Sequence, residues 1–356
     1  MKKSAFTYLL ALVFVACGGN KSEGTAGKSP ASEPVQVVAE TPWVLSTPNG
    51  SPVKECSVDT MEVSSPYIIY DKKSNQYYMV GDGGYMWQSR DMHVWQGPFD
   101  VLRQDTASWV GASPVVLSPE IHRHNGKYYY MATFKRNDCL VTDANGRQTA
   151  LQSCVALVAD DITGPYRTID SENFLLDIGE IAGHPTFCTD DLGVGYMIYN
   201  HLAEQNGDGT VQIVRFTEDL GRRMGEAYVM FRASQNGWSS DRPGSRTSSP
   251  TMEAPFFFAT EKGNVGILFT TNVAGKRTIG VAYSSTGHLN GPWEIAGKPL
   301  IGDGVGNAMI FRDYDGTQVM AVDKDTVIAG TAKKVLRLLK VDTQFDNLEI
   351  KGYYKF

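Results

Sequence analysis

Two glutamates stand at the heads of apolar runs. Glu253 lies in Ser249-Pro250-Thr251-Met252-Glu253-Ala254-Pro255-Phe256-Phe257-Phe258, and Glu120 in Ser118-Pro119-Glu120-Ile121-His122. A carboxyl group in such a place can give or take a proton, or accept hydrogen bonds from ligand hydroxyls. Each run leads through a turn into a second apolar run. Lys262-Gly263-Asn264 precedes Val265-Gly266-Ile267-Leu268-Phe269, and Asn125-Gly126-Lys127 precedes Tyr128-Tyr129-Tyr130-Met131. Both stretches read as β-hairpins with an acid at the mouth of the first strand.

The elements that would position these acids recur along the chain. Ser65-Pro66-Tyr67-Ile68-Ile69-Tyr70 precedes Lys73-Ser74-Asn75 and Tyr77-Tyr78-Met79-Val80. His184-Pro185-Thr186-Phe187 precedes Asp190-Asp191-Leu192-Gly193 and Tyr196-Met197-Ile198-Tyr199. A fifth copy, Asn307-Ala308-Met309-Ile310-Phe311, lacks the proline and leads through Tyr314-Asp315-Gly316 to Val319-Met320-Ala321-Val322. The marks Ser65, Ser118, His184, Ala254 and Asn307 are spaced by about fifty to seventy residues, a repeat period in the propeller range. One small antiparallel sheet cannot bury its faces alone. Five copies set radially give an all-β, five-bladed β-propeller. The competing arrangement is a β-sandwich of similar hairpins. No stretch sustains a helical apolar period, and 36 glycines and 17 tyrosines suit many turns and strands.

The rest of the chain bounds the setting. Lys2-Lys3, an apolar run from Ala5 to Ala16 and then Cys17 read as an export signal over residues 1–16, with Cys17 as a lipidation site. A plain secretory signal with an incidental cysteine is the alternative. Residues 17–42, rich in Gly, Ser, Lys, Glu and Pro, read as a disordered tether to the folded region 43–356. The chain is therefore expected to be an exported, membrane-anchored lipoprotein and a monomer, with the membrane face left open. Lys and Arg total 33 against 39 Asp and Glu, which disfavours a nucleic-acid partner. Export permits disulfides. Cys139 and Cys154 flank the polar stretch from Leu140 to Ser153 and are expected to close it as a loop, while Cys56 and Cys188 pair by default or stay free. No CxxC occurs, so the cysteines do not suggest zinc.

Several stretches together resemble glycoside hydrolase family 43, the five-bladed arabinofuranosidase and xylosidase group. They are Ser118-Pro119-Glu120-Ile121-His122 with Asn125-Gly126-Lys127-Tyr128-Tyr129, and Asn206-Gly207-Asp208-Gly209-Thr210. Gly225-Glu226 with Phe231-Arg232-Ala233-Ser234, Met252-Glu253-Ala254-Pro255 and Gly306-Asn307-Ala308-Met309-Ile310-Phe311-Arg312 complete the set. The resemblance runs from Pro66 to Val341. It implies inverting hydrolysis of terminal α-L-arabinofuranosyl or β-xylosyl units of an oligo- or polysaccharide. One carboxylate activates water, a glutamic acid protonates the leaving oxygen, and a third acid tunes that glutamate. Inversion needs two carboxyls roughly 6.5–9.5 Å apart across the bond.

Position by position, the resemblance puts the proton donor on Glu253. The base falls on Ser65, the tuning aspartate near Gly183-His184, and the histidine of the fifth blade on Asn307. A serine is a poor base for water, and glycine offers no charge. Glu120 is then the replacement base, a ligand for a sugar hydroxyl, or the partner of an arginine. Glu62 is the acid nearest Ser65 but is expected to point elsewhere. His184 and His201 line the pocket or serve structure, and Ser65 and Asn307 face the axis as hydrogen-bonding groups. Trp109, Trp87 and Trp238 stack on sugar or pack. No cofactor is required, and an axial calcium would have to rest on carbonyls or water. If no second carboxylate opposes Glu253, the same pocket would bind glycans without cleaving them.

Overall fold

The computed structural model describes residues 43–103, 110–111, 114–143, 145–169, 180–240, 250–343 and 347–356. The proposed signal and tether, Cys17 and Trp109 lie outside the described residues. Blade I holds β1 (Lys54–Ser57), β2 (Tyr67–Asp71), β3 (Gln76–Val80), β4 (Tyr85–Ser89) and β5 (Val94–Asp100). Blade II holds β6 (Val115–His124), β7 (Lys127–Thr142), β8 (Gln148–Ala159) and β9 (Arg167–Thr168). Blade III holds β10 (Ala182–Thr189), β11 (Gly195–His201), β12 (Thr210–Phe216) and β13 (Arg223–Arg232), with a short helix α1 (Ala203–Asn206) after β11. Blade IV holds β14 (Glu253–Ala259), β15 (Val265–Val273), β16 (Lys276–Ser284) and β17 (Trp293–Ile295). Blade V holds β18 (Val305–Arg312), β19 (Gln318–Ile328), β20 (Thr331–Asp342) and β21 (Glu349–Tyr353).

Blades II to V are antiparallel meanders in chain order, and blade I adds β1 outside β5. The first meander strands, β2, β6, β10, β14 and β18, each touch the next around a closed ring. The expected five-bladed propeller is therefore the observed fold. A sandwich has no such ring.

The apolar runs explain why blades cannot stand alone. In β3, Tyr77 and Met79 enter the core shared with blades IV and V, while Tyr78 and Val80 enter the core shared with blade II. In β7, Tyr130 and Phe134 face blade I, and Tyr129 and Met131 face blade III. In β15, Ile267 and Phe269 pack toward blade III, and Leu268 on the opposite side. A strand with alternate residues buried on both faces must be apolar throughout. Each such side chain contributes roughly 1.5–3 kcal/mol when fully buried, but only if a neighbouring blade covers it.

The five marks recognised in the sequence share one backbone feature. Ser65, Ser118, His184, Ala254 and Asn307 have φ of 52°, 47°, 55°, 51° and 50°. This left-handed conformation is costly for non-glycine residues, by roughly 1–2 kcal/mol each. The ladder register shifts across the mark in blades II to V, between Leu117 and Glu120, Gly183 and Thr186, Glu253 and Phe256, and Gly306 and Met309. Proline after the mark has no N–H to lose, so it suits such a bulge.

Four of these marks are pinned by the preceding blade. The N–H of Ser118 donates to Asp82 Oδ1 at 2.7 Å, and that of His184 to Thr133 Oγ1 at 2.7 Å. The N–H of Asn307 donates to Thr270 Oγ1 at 2.8 Å, and that of Ser65 to Asp323 Oδ2 at 3.0 Å. The last bond joins blade V back to blade I. Two backbone bonds reinforce the closure, Val63 N–H to Lys334 O at 3.0 Å and Leu336 N–H to Met61 O at 2.9 Å.

The expected Cys139–Cys154 bridge is not present, and Cys56 and Cys188 take the second of their two expected states, free. Cys56, Cys139, Cys154 and Cys188 are all free. The stretch after Cys139 is not a closed loop. It continues the β7–β8 ladder to Thr142 opposite Gln148. Cys154 lies opposite Thr133, six residues back along β7 from Cys139. The register shift between Arg136 and Leu140 puts Cys139 beside the Leu140–Ala150 pair, so the two lie roughly 10–13 Å apart along the ladder at strand rise, whereas a disulfide needs Cα atoms about 4.4–6.8 Å apart.

Asp323 is fully buried and gathers Arg277 Nη1 at 2.6 Å and Asn307 Nδ2 at 2.8 Å beside the Ser65 N–H. Removing one member of a buried ion pair leaves the other without its counter-charge. Asp323→Ala is expected to lower unfolding free energy by about 3–5 kcal/mol in urea titrations. Asp325→Ala, at the more exposed partner of the same arginine, is expected to cost under about 1 kcal/mol. Equal costs would show that the ring closure does not depend on Asp323.

Candidate functional site

The five marked residues and those just after them line one pocket at the axis. Its wall is Ser65, Ser118, His184, Ala254 and Asn307, with Tyr67, Glu120, Phe256 and Met309 next along their strands. The prolines Pro66, Pro119, Pro185 and Pro255 fill the spaces between. The enclosed volume is ≈ 30 Å³, room for about one or two waters. A ligand as large as a sugar ring does not fit within this space and would reach it only with a single group or through water.

The polar groups of the wall are joined to each other. Ser118 Oγ lies 2.7 Å from His184 Nδ1 and 3.3 Å from Ser65 Oγ. Asn307 is held by Asp323 from behind. Ser65, His184 and Asn307 thus face the axis, as the sequence suggested. Gly183 belongs to the β10–β11 ladder opposite Asn200, so His184 is the residue that occupies the axial station.

Glu120 reaches the same wall but is occupied. Its Oε2 lies 2.6 Å from His122 Nε2, and the Tyr67 hydroxyl lies 3.5 Å from His122 Nδ1. The His122 ring is held between Tyr67 and Phe187, with centroids at 5.3 and 5.4 Å. The partner of Glu120 is therefore this histidine and not an arginine. Burial pushes the Glu120 carboxyl above the ordinary carboxylate range, and the His122 bond works in the opposite direction.

Glu253 begins β14 immediately before the pocket residue Ala254 and pairs in register with Thr270. It is half-buried. Among the described residues its carboxylate has no hydrogen-bond or ion-pair partner, in contrast to Glu120. Glu62 forms an ion pair with Lys333 at 2.7 Å and is not part of the pocket wall.

Other residues singled out from the sequence do not reach the pocket. His201 ends β11 opposite Ala182, held by Gln205 Oε1 at 2.8 Å and Gln212 Nε2 at 3.3 Å, and does not line the axial cavity. Trp238 donates its Nε1–H to Ala296 O at 2.7 Å and stacks on Phe269. Trp87 packs against the core of blades I, IV and V. Both tryptophans are packing residues. The side chains of the wall offer hydroxyls, an amide, an imidazole and one engaged carboxylate, so a calcium there would have to rest on carbonyls or water. Among the described residues no three His, Cys, Asp or Glu side chains gather as a metal site.

The pinning residues Asp82, Thr133, Thr270 and Asp323 escaped the sequence reading. Their signal was present: in each blade one polar residue ends the apolar run of the second strand, as in Met131-Ala132-Thr133 and Ala321-Val322-Asp323. Asn200 occupies the same place in blade III, fully buried, with its Oδ1 lacking a partner.

A carboxyl whose folded pKa is raised favours the fold while protonated. That contribution is complete below its unfolded pKa of about 4 and is lost as pH rises through the folded value. Glu120→Gln keeps an acceptor for His122 and removes the titration. The stability of the variant relative to wild type is therefore expected to increase from pH 4 to pH 8 in chemical melts. A difference that does not change with pH would show that burial does not govern Glu120.

Comparisons with known proteins agree with this architecture. The family model described as glycosyl hydrolases family 43 matches residues 57–329. The fold is similar to an endo-arabinase from Bacteroides thetaiotaomicron VPI-5482, with a TM-score of 0.70 at 21% identity over 84% of this chain and 98% of that one. An endo-1,4-beta-xylanase from the same organism gives 0.65 at 17% identity over 82% and 95%. An exo-1,5-alpha-L-arabinanase from a bovine ruminal metagenomic library gives 0.59 at 15% identity over 82% and 97%. A search of curated protein sequences finds no match. The match to the family model spans most of the propeller, and the chain belongs to glycosyl hydrolases family 43.

Proposed function

We propose that this chain hydrolyses terminal α-L-arabinofuranosyl or β-xylosyl units of glycans with inversion, and that Glu253 is the acid. The observation that carries the reading is the state of Glu253. It is half-buried at the mouth of an innermost strand, beside the axial wall, and its carboxyl is not engaged by any described residue. A proton donor must be free in this way to meet a leaving oxygen. Names of fold relatives, arabinase, xylanase and arabinanase, support the sugar class. In the transition state the sugar gains oxocarbenium character, the leaving oxygen takes the Glu253 proton, and water attacks from the opposite face.

A second reading is binding of the same glycans without cleavage. It is favoured by the neutral residues Ser65 and Asn307, and by His184, at stations where the family resemblance puts two acids and a histidine. It is favoured further by the engagement of Glu120 with His122. Either activity would operate at a membrane surface if Cys17 carries lipid, a proposal supported by the Lys2-Lys3 start and the apolar run before it.

Purified protein is expected to release sugar from aryl α-L-arabinofuranosides, aryl β-xylosides or natural oligosaccharides. Glu253→Gln should lose about 10²–10⁴-fold on natural substrates and less where the leaving group needs no proton. Undiminished release by the variant would remove Glu253 from the acid role. Binding of oligosaccharide by calorimetry with no release would select the second reading. In cells, labelled palmitate should enter the wild-type chain and not Cys17→Ala. Equal labelling would end the anchor proposal.

A further inference from the structure

Resting on the hydrolytic reading above, we propose that the Ser65–Ser118–His184 chain replaces the missing base, with His184 Nδ1 as the proton acceptor. The three residues come from blades I, II and III, whose inner strands adjoin. Their side chains are already linked, at 3.3 Å from Ser65 Oγ to Ser118 Oγ and 2.7 Å from Ser118 Oγ to His184 Nδ1. All three line a cavity of ≈ 30 Å³. A buried water needs such a volume and two to four polar partners, which Ser65, Ser118 and Asn307 can supply.

The geometry is held before any substrate arrives. Each backbone is fixed by a bond from the blade before it, Ser65 to Asp323, Ser118 to Asp82 and His184 to Thr133. Side chains held this way need little rearrangement to act. The other carboxylate on the wall, Glu120, is engaged by His122. A serine hydroxyl within hydrogen-bond reach of a histidine is also the arrangement of a nucleophile and its base. Acyl transfer is not supported here. The Ser118 N–H is spent on Asp82 and residue 119 is proline, so the backbone offers no donor beside Ser118 for a developing oxyanion.

The step balances without a co-reactant. Water seated between Ser65 and Ser118 forms the new bond to the anomeric carbon as the glycosidic C–O bond breaks. The water proton passes to Ser118 Oγ while the Ser118 proton passes to His184 Nδ1. The Glu253 proton goes to the leaving oxygen. The imidazolium then loses its proton to solvent, and Glu253 regains one. Nothing is oxidised or reduced. Ser65 and Ser118 touch the reacting water, and His184 acts through Ser118.

The test uses p-nitrophenyl α-L-arabinofuranoside and β-xyloside, whose leaving group depends little on Glu253, so the rate reports the water side. Two variants borrow residues that other stations already carry in the same backbone conformation: His184→Asn as at Asn307, and Ser118→Ala as at Ala254. Each is expected to lower kcat by about 10²-fold or more with KM little changed, and added imidazole should restore part of the loss in His184→Asn. Ser65→Asp installs a carboxylate base. It should raise kcat and make His184→Asn harmless in the double variant. Wild-type turnover retained in His184→Asn would overturn the relay while leaving hydrolysis standing. An inert wild type with an active Ser65→Asp would also overturn it, as a site that has lost its base. If neither turns over, the hydrolytic reading falls and the relay with it.

Discussion

The architecture depends on one backbone constraint. At five stations around the axis a residue with a side chain sits in the left-handed region. Five such residues cost roughly 1–2 kcal/mol apiece. Four of their N–H groups are captured by a side chain from the preceding blade. A hydrogen bond contributes about 0.5–1.5 kcal/mol when neutral and about 1.5–3 when charged. The aspartates at the Ser118 and Ser65 stations can therefore offset the strain alone. The threonines at the His184 and Asn307 stations need the help of packing. The strain is held where the blades meet, so it is also what fixes the pocket wall.

This constraint explains what was legible in the sequence. A small or polar residue followed by proline, then an apolar strand, marks a bulge whose first residue turns left-handed. That pattern located Ser65, Ser118, His184 and Ala254, and Asn307 followed despite its missing proline. The Asn125–Gly126 turn was equally plain, because both residues take positive φ and the pair spans the two strands directly. The cysteines misled because polar composition between Cys139 and Cys154 looks like a loop. Exposed outer ends of a ladder are polar too, and only the register separates the cases. The Glu120–His122 bond was hidden for a related reason: residues two apart share a strand face, but composition does not say whether they face a partner or each other.

Electrostatics divides the axis into two kinds of acid. Asp323 is buried and meets a guanidinium, an amide and a backbone N–H together. Glu120 is nearly as buried and bonds to His122, and burial pushes its carboxyl above the ordinary range. Glu253 has neither constraint. The three carboxylates belong to one ring and differ in what surrounds them. Of the three, Glu253 alone has no hydrogen-bond or ion-pair partner among the described residues.

The stations demand a backbone conformation, not a charge. Alanine satisfies the demand at Ala254, serine at two stations, histidine and asparagine at two more. The anchoring bonds run to main-chain N–H groups, so they are indifferent to the side chain that the station displays. An aspartate can thus become Ser65 without disturbing the ring that presents it. Fold and chemistry are separable in this architecture for that physical reason. What an axial site can do then follows from which displayed groups reach each other. Here the groups in reach are two hydroxyls and an imidazole, next to a glutamate with no partner among the described residues.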